Sequence, residues 1–194
     1  MRPGARTVNN VSTMARMMYQ LKIVLADVDP PVWRRVLVPG GYTLDRVHRV
    51  IQYAMGWQDC HLHSFDVGGT QYGVPDPDGL LDLVDELDCR LDAAVEKHDR
   101  LGYTYDFGDW WEHHVLVEDV RPAASDWAYP HLVDGERACP PEDVGGPRGY
   151  ATFTVALTDP DHPEHLDMRD WVRPGFDPET FVSGHISTLL RRLT

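Results

Sequence analysis

The sequence predicts a single α+β domain, in which a mixed sheet of two hairpins carries a packed helix and is followed by a C-terminal helical segment. Three observations support this prediction. Residues of alternating polarity form two strong strand pairs, a stretch between them has an apolar stripe of helical period, and further helical patterns follow the second pair. Strands and helices that occupy separate regions of a chain are typical of the α+β class.

The first hairpin and its helix have clear boundaries. Polar and apolar residues alternate over residues 19–25, as in a half-buried strand, and residues 33–38 form the returning strand. Pro39-Gly40-Gly41 ends that strand, and Thr43 is then the expected N-cap of a helix over residues 44–55. Gly56 has the position of a C′ glycine, which ends the helix.

The later elements follow the same rules. Residues 61–67 predict a strand that returns over residues 70–74 after a tight Gly68-Gly69 turn, and the acidic residues 76–100 contain one or two short helices. The second strong hairpin pairs residues 101–107 with residues 112–120. Residues 121–148 are rich in proline, glycine and charge, which indicates an ordered irregular loop. Helical patterns near residues 150–157, 165–172 and 186–193 complete the chain.

The ββαβ order of the opening elements resembles a β-grasp arrangement, so we expect a β-grasp-like mixed sheet. Residues 1–18 carry Arg2, Arg6 and Arg16 without an acid, and they lack the continuous apolar region of a secretory signal. We therefore expect residues 1–18 to be a flexible N-terminal extension, and residues 19–194 to form one domain.

Charge and composition exclude several classes of partner. The formal net charge of −13 repels a phosphate backbone, so nucleic acid is an unfavourable partner. No apolar run approaches the roughly 20 residues that cross a bilayer, so we expect no membrane association. The 3 cysteines (Cys60, Cys89 and Cys139) form no CxxC motif and disfavour a disulfide framework, which favours a cytoplasmic location. The acidic residues between 76 and 92 lack the spacing of a calcium loop and indicate a solvated face.

Histidines near two strands form the first candidate site. The stretch YTYDFGDWWEHHVLV, residues 103–117, places His113 on the same face as its apolar neighbours, and the spacing in His61-Leu62-His63 puts both imidazoles on one face of a strand. Three converging imidazoles and a carboxylate in the turn, Asp109, would suit zinc or a similar divalent ion.

Glu112 is the candidate general base beside such an ion. The alternative interpretation is structural. In that case the histidines pack near the edge of the sheet and hydrogen-bond to the backbone, to Tyr103 or to Tyr105, without binding a metal.

Aromatic and cationic residues form the second candidate site. Trp110 and Trp111 are adjacent and cannot both be buried by strand alternation, so one of them is expected at the surface, where it could recognise a protein or a flat ligand. Arg34 and Arg35 could extend this surface. The alternative is that Trp111 packs under the hairpin and Trp110 is partly exposed without a partner.

A glycine-rich segment over residues 145–150 opens a predicted helix. Its free N–H groups and Arg148 could hold an anion, although the segment matches neither a Walker loop nor GxGxxG. The alternative is a structural loop with an N-cap.

Five segments together resemble a known family: DPPVWRRVLVPGGYTLDRVHRVIQYAMGW, HLHSF, YTYDFGDWWEH, GERACPPEDVGGPRGY and DPDHPEH. Over residues 19–193 the chain resembles the plasmid pRiA4b ORF-3-like proteins, which are often labelled as passenger proteins of insertion elements or as TnpR-like. The resemblance implies an association with mobile elements. The acidic chain lacks the basic DNA-binding tail of a serine recombinase. Val144 also replaces a cysteine that is frequent in the family, which argues against a metal role for Cys139.

Three functional hypotheses follow. The first is a cytoplasmic, non-enzymatic binding or accessory module for a protein or small ligand, which requires an exposed aromatic patch near Trp110. The second is a metal-dependent hydrolase, which requires the three histidines to converge on one point. The third is a nucleic-acid accessory protein of a transposable element, which requires a basic face around Arg34, Arg35, Arg46 and Arg49.

Overall fold

The computed structural model describes residues 16–76, 81–124 and 130–193. The strands are β1 (Met17–Leu25), β2 (Trp33–Pro39), β3 (His63–Val67), β4 (Thr70–Gly73), β5 (Val84–Asp85), β6 (Arg100–Tyr105), β7 (Trp111–Pro122) and β8 (His131–Glu136). The helices are α1 (Leu44–Met55), α2 (Leu91–Ala94), α3 (Gly146–Thr158), α4 (His165–Trp171) and α5 (Ser183–Leu190), with a 3₁₀ helix at Glu86–Asp88.

Within the described residues, the strands form one mixed sheet of 8 strands in the order β5-β4-β3-β6-β7-β1-β2-β8. The β4–β5 pair is parallel, and the other pairs are antiparallel. The α+β prediction is therefore confirmed. The sheet is larger than the two predicted hairpins because β7 also pairs with β1, which joins the hairpins, and because β5 and β8 extend the edges.

One face of the sheet is buried and the other is largely open to solvent. Along β7, Trp111, His113, Val115 and Val117 are buried, while Glu112 and His114 between them are exposed. This two-residue period is expected of an antiparallel sheet with one covered face. The buried face packs against α1, whose stripe runs from Leu44 to Met55.

The boundaries of α1 agree with the sequence prediction. Thr43 is the N-cap residue, although its hydroxyl hydrogen-bonds to the Asp45 carboxylate and not to the backbone. Gly56 has a φ of 97° and donates its N–H to the Gln52 carbonyl, which closes the last turn. Among the described helices, none has the length and apolar character needed to cross a bilayer.

Two parts of the chain differ from the predictions. β1 begins at Met17 and Met18 is fully buried, so these residues of the predicted extension belong to the sheet. Residues 1–15 lie outside the described range. β8 lies within the predicted irregular loop. Its residues are half-buried or exposed and its pairing with β2 shifts register between Arg35 and Val36, so the alternation that reveals a strand is weak.

Candidate functional site at the β6–β7 turn

The β6–β7 turn is held by its own carboxylate. Asp106 Oδ1 accepts the Gly108 N–H at 2.8 Å, and the Trp110 N–H donates to the Asp106 carbonyl at 2.6 Å. Asp106 and Trp110 both have positive φ, at 57° and 56°. Aspartate tolerates this left-handed region, whereas a tryptophan there is uncommon.

The two adjacent tryptophans have opposite environments. Trp111 is fully buried and packs 6.0 Å from the Trp57 ring, whereas Trp110 is 56% exposed. The Phe107 ring lies 5.9 Å from that of Trp110, on the same turn. The turn therefore carries an exposed Trp110 beside a half-buried Phe107, while the next residue, Trp111, anchors the hairpin in the core.

The loop before α3 packs against this turn. Asp109 Oδ2 accepts the Gly145 N–H at 3.0 Å. Gly146 approaches the turn so closely that a Cβ there would lie 2.3 Å from the Asp109 carbonyl oxygen. Asp109 therefore positions the loop before α3. The sequence does not predict this contact, because the two residues are 36 positions apart in the chain.

Glu142 is fixed by hydrogen bonds from two directions. Its Oε1 accepts the Gln58 N–H at 2.8 Å and the Tyr105 hydroxyl at 3.2 Å. Burial, foremost, raises the pKa of Tyr105 well above its ordinary value, so the hydroxyl stays protonated and continues to donate.

Carboxylates converge on His61. The His61 Nε2 atom lies 3.2 Å from Asp143 Oδ1, 3.6 Å from Asp106 Oδ2 and 3.9 Å from Glu142 Oε2. None of these contacts has hydrogen-bond geometry, and both His61 Nε2 and Glu142 Oε2 are buried atoms without a hydrogen-bond partner. The Cys60 thiol lies within 4.8 Å of ligand atoms of His61 and Glu142.

His63 points into a different polar cluster. It is buried, its Nε2 lies 2.8 Å from Glu86 Oε2, and its ring stacks on that of His48. His48 in turn contacts Asp59 Oδ1 and the Tyr103 hydroxyl, each at 2.8 Å. Both nitrogens of His48 and the Nε2 of His63 are therefore occupied.

His113 is also buried beneath the hairpin. Its Nδ1 lies 3.2 Å from the Tyr103 carbonyl oxygen and 3.1 Å from that of Trp111, which sets Nδ1 as the protonated nitrogen. Burial lowers the pKa of His113 to about 4, so the ring is neutral near pH 7.

The four predicted metal ligands are thus not brought together. Over the parts of the chain that are described, the groups of three or more ligand atoms within 4.8 Å are Cys60, His61 and Glu142, and His61, Asp106 and Asp143. His61 belongs to both groups, whereas His63, His113 and Asp109 belong to neither. The physical reason is the strand order: β6 lies between β3 and β7, so His63 and His113 are two strand spacings apart, about 10 Å.

The remaining predicted residues have distinct positions. Glu112 is exposed on the open face of the sheet, opposite the buried face that carries His113. Arg34 is 2% exposed and donates to backbone carbonyls, and Arg35 forms an ion pair with Glu118 at 2.6 Å. Neither arginine extends the Trp110 surface. Arg148 is exposed in the first turn of α3.

A surface cleft occurs elsewhere on the molecule, between α3 and the β1–β2 turn. Asp27, Val32, Arg137 and Tyr150 are among its lining residues. None of the residues predicted as site residues lines it. The β6–β7 turn with the neighbouring His61 cluster is therefore the better candidate, because aromatic exposure, backbone strain and unpartnered polar atoms coincide there.

Comparisons with known proteins give a family and no activity. The sequence model of the family described as "Plasmid pRiA4b ORF-3-like protein" matches residues 17–184. The "Uncharacterized protein y4hQ" of Sinorhizobium fredii (strain NBRC 101917 / NGR234) is 40% identical over 160 residues, which cover 81% of this chain and 82% of that protein. The crystal structure of "Protein of Unknown Function MM3350 from Methanosarcina mazei Go1" matches with a TM-score of 0.80 and 35% identity, over 88% of this chain and 97% of that chain.

Proposed function

The chain belongs to the plasmid pRiA4b ORF-3-like family, and the proteins to which it is similar have no stated activity. We therefore propose a function from the site itself: a cytoplasmic, non-enzymatic module that binds a basic segment of a partner protein at the β6–β7 turn. The plasmid in the family name supports an accessory role in mobile elements as part of the same proposal.

The single observation that carries this proposal is the state of Trp110. A φ of 56° is unfavourable for a tryptophan, and 56% exposure leaves much of its apolar surface in water. Neither feature helps the chain to fold. Strained residues that are held by their surroundings concentrate at binding sites, and exposed tryptophan is a frequent anchor of protein interfaces.

Charge complementarity indicates the chemistry of the partner. The exposed carboxylate of Glu112 lies on β7, directly after the turn that carries the aromatic pair, in a chain of net charge −13. The faces of Phe107 and Trp110 attract cations as well, because aromatic faces carry negative potential. A segment that contains lysine or arginine satisfies both features.

The two alternatives have less support. Glu112 on the open face is badly placed for a general base acting with His113. The basic face that nucleic acid requires is also weak, because Arg34 is buried, Arg35 is paired with Glu118, and Arg46 lies over the Tyr42 ring.

Selection of short random peptides displayed on phage tests the proposal. We expect wild-type protein to enrich peptides that contain lysine or arginine, and a synthetic peptide of the enriched sequence to bind at least about tenfold more weakly to Trp110→Ala in calorimetry. Trp171→Ala is the matched control, since Trp171 is 49% exposed on α4, away from the turn. Enrichment without basic residues, or an equal loss in Trp171→Ala, would overturn the proposal.

A further inference from the structure

We propose that the side chains around His61 Nε2 form a binding site for a divalent transition-metal ion such as Zn²⁺. The donors are one imidazole and two carboxylates, His61, Asp106 and Asp143, whose ligand atoms lie within 4.8 Å of one another. Glu142 approaches the same imidazole nitrogen at 3.9 Å and belongs to a second group, with Cys60. This site shares only His61 with the set that the sequence predicts, and it does not depend on the proposed partner binding at Trp110.

The spacing of the donor atoms suits a metal. Zinc–nitrogen and zinc–oxygen bonds of about 2.0–2.2 Å place tetrahedral ligand atoms roughly 3.3–3.6 Å apart. The Asp143 and Asp106 oxygens lie 3.2 and 3.6 Å from His61 Nε2, and the three ligand atoms lie within 4.8 Å of one another. The nitrogen makes no hydrogen bond to either oxygen, so the three atoms face one another without being bonded.

The cluster contains buried polar atoms without partners. His61 Nε2 and Glu142 Oε2 are both inaccessible to solvent and unpaired, and the Asp106 side chain is only 10% exposed with Oδ2 directed at the imidazole. Buried polar atoms in folded proteins are nearly always paired, because an unpaired one forfeits its hydration without compensation. A cation bound beside Asp106 Oδ2 would satisfy His61 Nε2, and its charge would offset that of the nearby Glu142 carboxylate.

The carboxylates of Glu142 and Asp106 are each held by one oxygen, so that the other oxygen remains on the side of His61. Glu142 Oε1 is occupied by the Gln58 N–H and the Tyr105 hydroxyl, while Oε2 is the unpaired atom. Asp106 Oδ1 is occupied by the Gly108 N–H, while Oδ2 faces His61. Outer hydrogen bonds that orient metal-binding carboxylates in this way are a regular feature of metal sites.

Charge gives a further reason for a cation. Three carboxylates surround one imidazole, and this excess of like charge costs free energy unless a positive ion offsets it. The cluster is also accessible, because the Asp143 side chain is 72% exposed and forms the solvent side of the site.

The donor set favours a borderline transition metal over magnesium or calcium. Magnesium and calcium prefer all-oxygen ligands, whereas an imidazole nitrogen suits zinc, copper, iron or nickel. The Cys60 thiol, within 4.8 Å of ligand atoms of His61 and Glu142, adds a soft donor that zinc accepts.

Zinc titration of protein freed of metal by chelation tests the inference, with a chromogenic zinc indicator as competitor. We expect stoichiometric binding, and a loss of at least about 100-fold in affinity in His61→Ala and in Asp106→Asn, because removing a ligand costs more than removing an outer partner. Asp106→Asn is the sharper variant. Asparagine tolerates the φ of 57° and can still accept the Gly108 N–H, so the turn is retained.

Two variants are controls. His114→Ala removes an exposed histidine from the open face of the sheet and should keep wild-type affinity. Trp110→Ala should also keep it, which separates this site from partner binding. Circular dichroism confirms that each variant is folded. The inference fails if wild-type protein does not bind zinc stoichiometrically, or if folded His61→Ala and Asp106→Asn bind it as tightly as His114→Ala.

Discussion

The imidazole rings of His48 and His63 stack in parallel, with centroids 3.5 Å apart and planes 5° apart. The outer nitrogen of each ring faces a carboxylate, Asp59 for His48 and Glu86 for His63. Two cationic rings at this distance would repel strongly, and this repulsion is one of the causes that lower the pKa of His48. This stacking also explains why His63 takes no part in the His61 cluster.

The first prediction concerns stability against pH. Burial, and then the charge of His63, lowers the pKa of His48 to about 4 from the 6.5 of an unfolded chain, and burial lowers that of His113 to about 4 as well. At pH values between about 4 and 6.5 the unfolded chain binds more protons than the folded chain. The free energy of unfolding therefore falls as the pH decreases from about 6.5 towards 4. The protonation of each histidine should lower the free energy of unfolding by on the order of 2 kcal/mol between pH 7 and pH 5.

Urea denaturation at pH 7 and pH 5, with a chelator present, measures this loss. His48→Gln cannot titrate, so its free energy of unfolding should change less between the two pH values, whatever its stability at pH 7. His114→Ala, which alters an exposed histidine, should retain the wild-type pH dependence. If His48→Gln also retains the wild-type pH dependence, the loss of stability does not come from protonation of His48.

The second prediction compares two adjacent arginines. The Arg34 guanidinium donates to the carbonyl oxygens of Ala54, Trp33 and Glu136, each at 2.8 Å, and thus ties α1 to β2 and to β8. A lysine cannot serve three carbonyls in this fixed geometry, so Arg34→Lys should lower the free energy of unfolding by about 2–4 kcal/mol.

Arg35→Lys is the control for Arg34→Lys. Its ion pair with Glu118 is partly exposed, and the loss should stay below about 1 kcal/mol. Urea midpoints of the two variants decide the comparison. Equal losses would mean that the carbonyl contacts of Arg34 contribute little.

The third prediction isolates the backbone strain at Trp110. Asparagine tolerates the left-handed region far better than most residues, so Trp110→Asn should be more stable than Trp110→Ala by about 1 kcal/mol. Both variants remove the ring contact with Phe107 equally, and only the tolerance for φ differs. Thermal unfolding measures the difference, and a Trp110→Ala variant as stable as Trp110→Asn would show that the turn stores no strain.

Strands and helices with strong periodic patterns could be predicted from the sequence. β1, β2 and α1 bury alternate or stripe-forming residues, and this burial is what the pattern records. β8 could not be predicted in this way, because an edge strand with half-exposed residues such as Leu132 has little alternation.

The candidate site was predictable only in part. Trp110 and Asp109 stand out because a turn between two strong strands is a local feature. Glu142 and Asp143 have no local signal, since they reach His61 through a loop that is distant in sequence and is positioned by the hydrogen bonds of Tyr105 and Asp109. Strand periodicity predicts which face of the sheet a histidine occupies, but it does not predict the strand order. The sequence therefore could not show that β6 lies between His63 and His113.

The last prediction concerns the glycine that holds this loop close. A Cβ at Gly149, in α3, would lie 2.0 Å from the Val144 carbonyl oxygen, whereas a Cβ at Gly184, in α5, would meet nothing within 4 Å. Gly149→Ala should therefore cost about 1–3 kcal/mol in urea denaturation, as the backbone is forced apart. Gly184→Ala should be neutral or stabilise by up to about 1 kcal/mol, because alanine favours the helix.

Gly149→Ala should also weaken zinc binding, because any shift of Val144 displaces the neighbouring Asp143 and Glu142 from His61. Gly184→Ala should leave the zinc affinity unchanged. A Gly149→Ala variant that loses stability but keeps full zinc affinity would mean that the clash is relieved within α3 and not in the loop. The zinc ligands would then be positioned by the hydrogen bonds to Glu142 Oε1 and Asp109 Oδ2 alone.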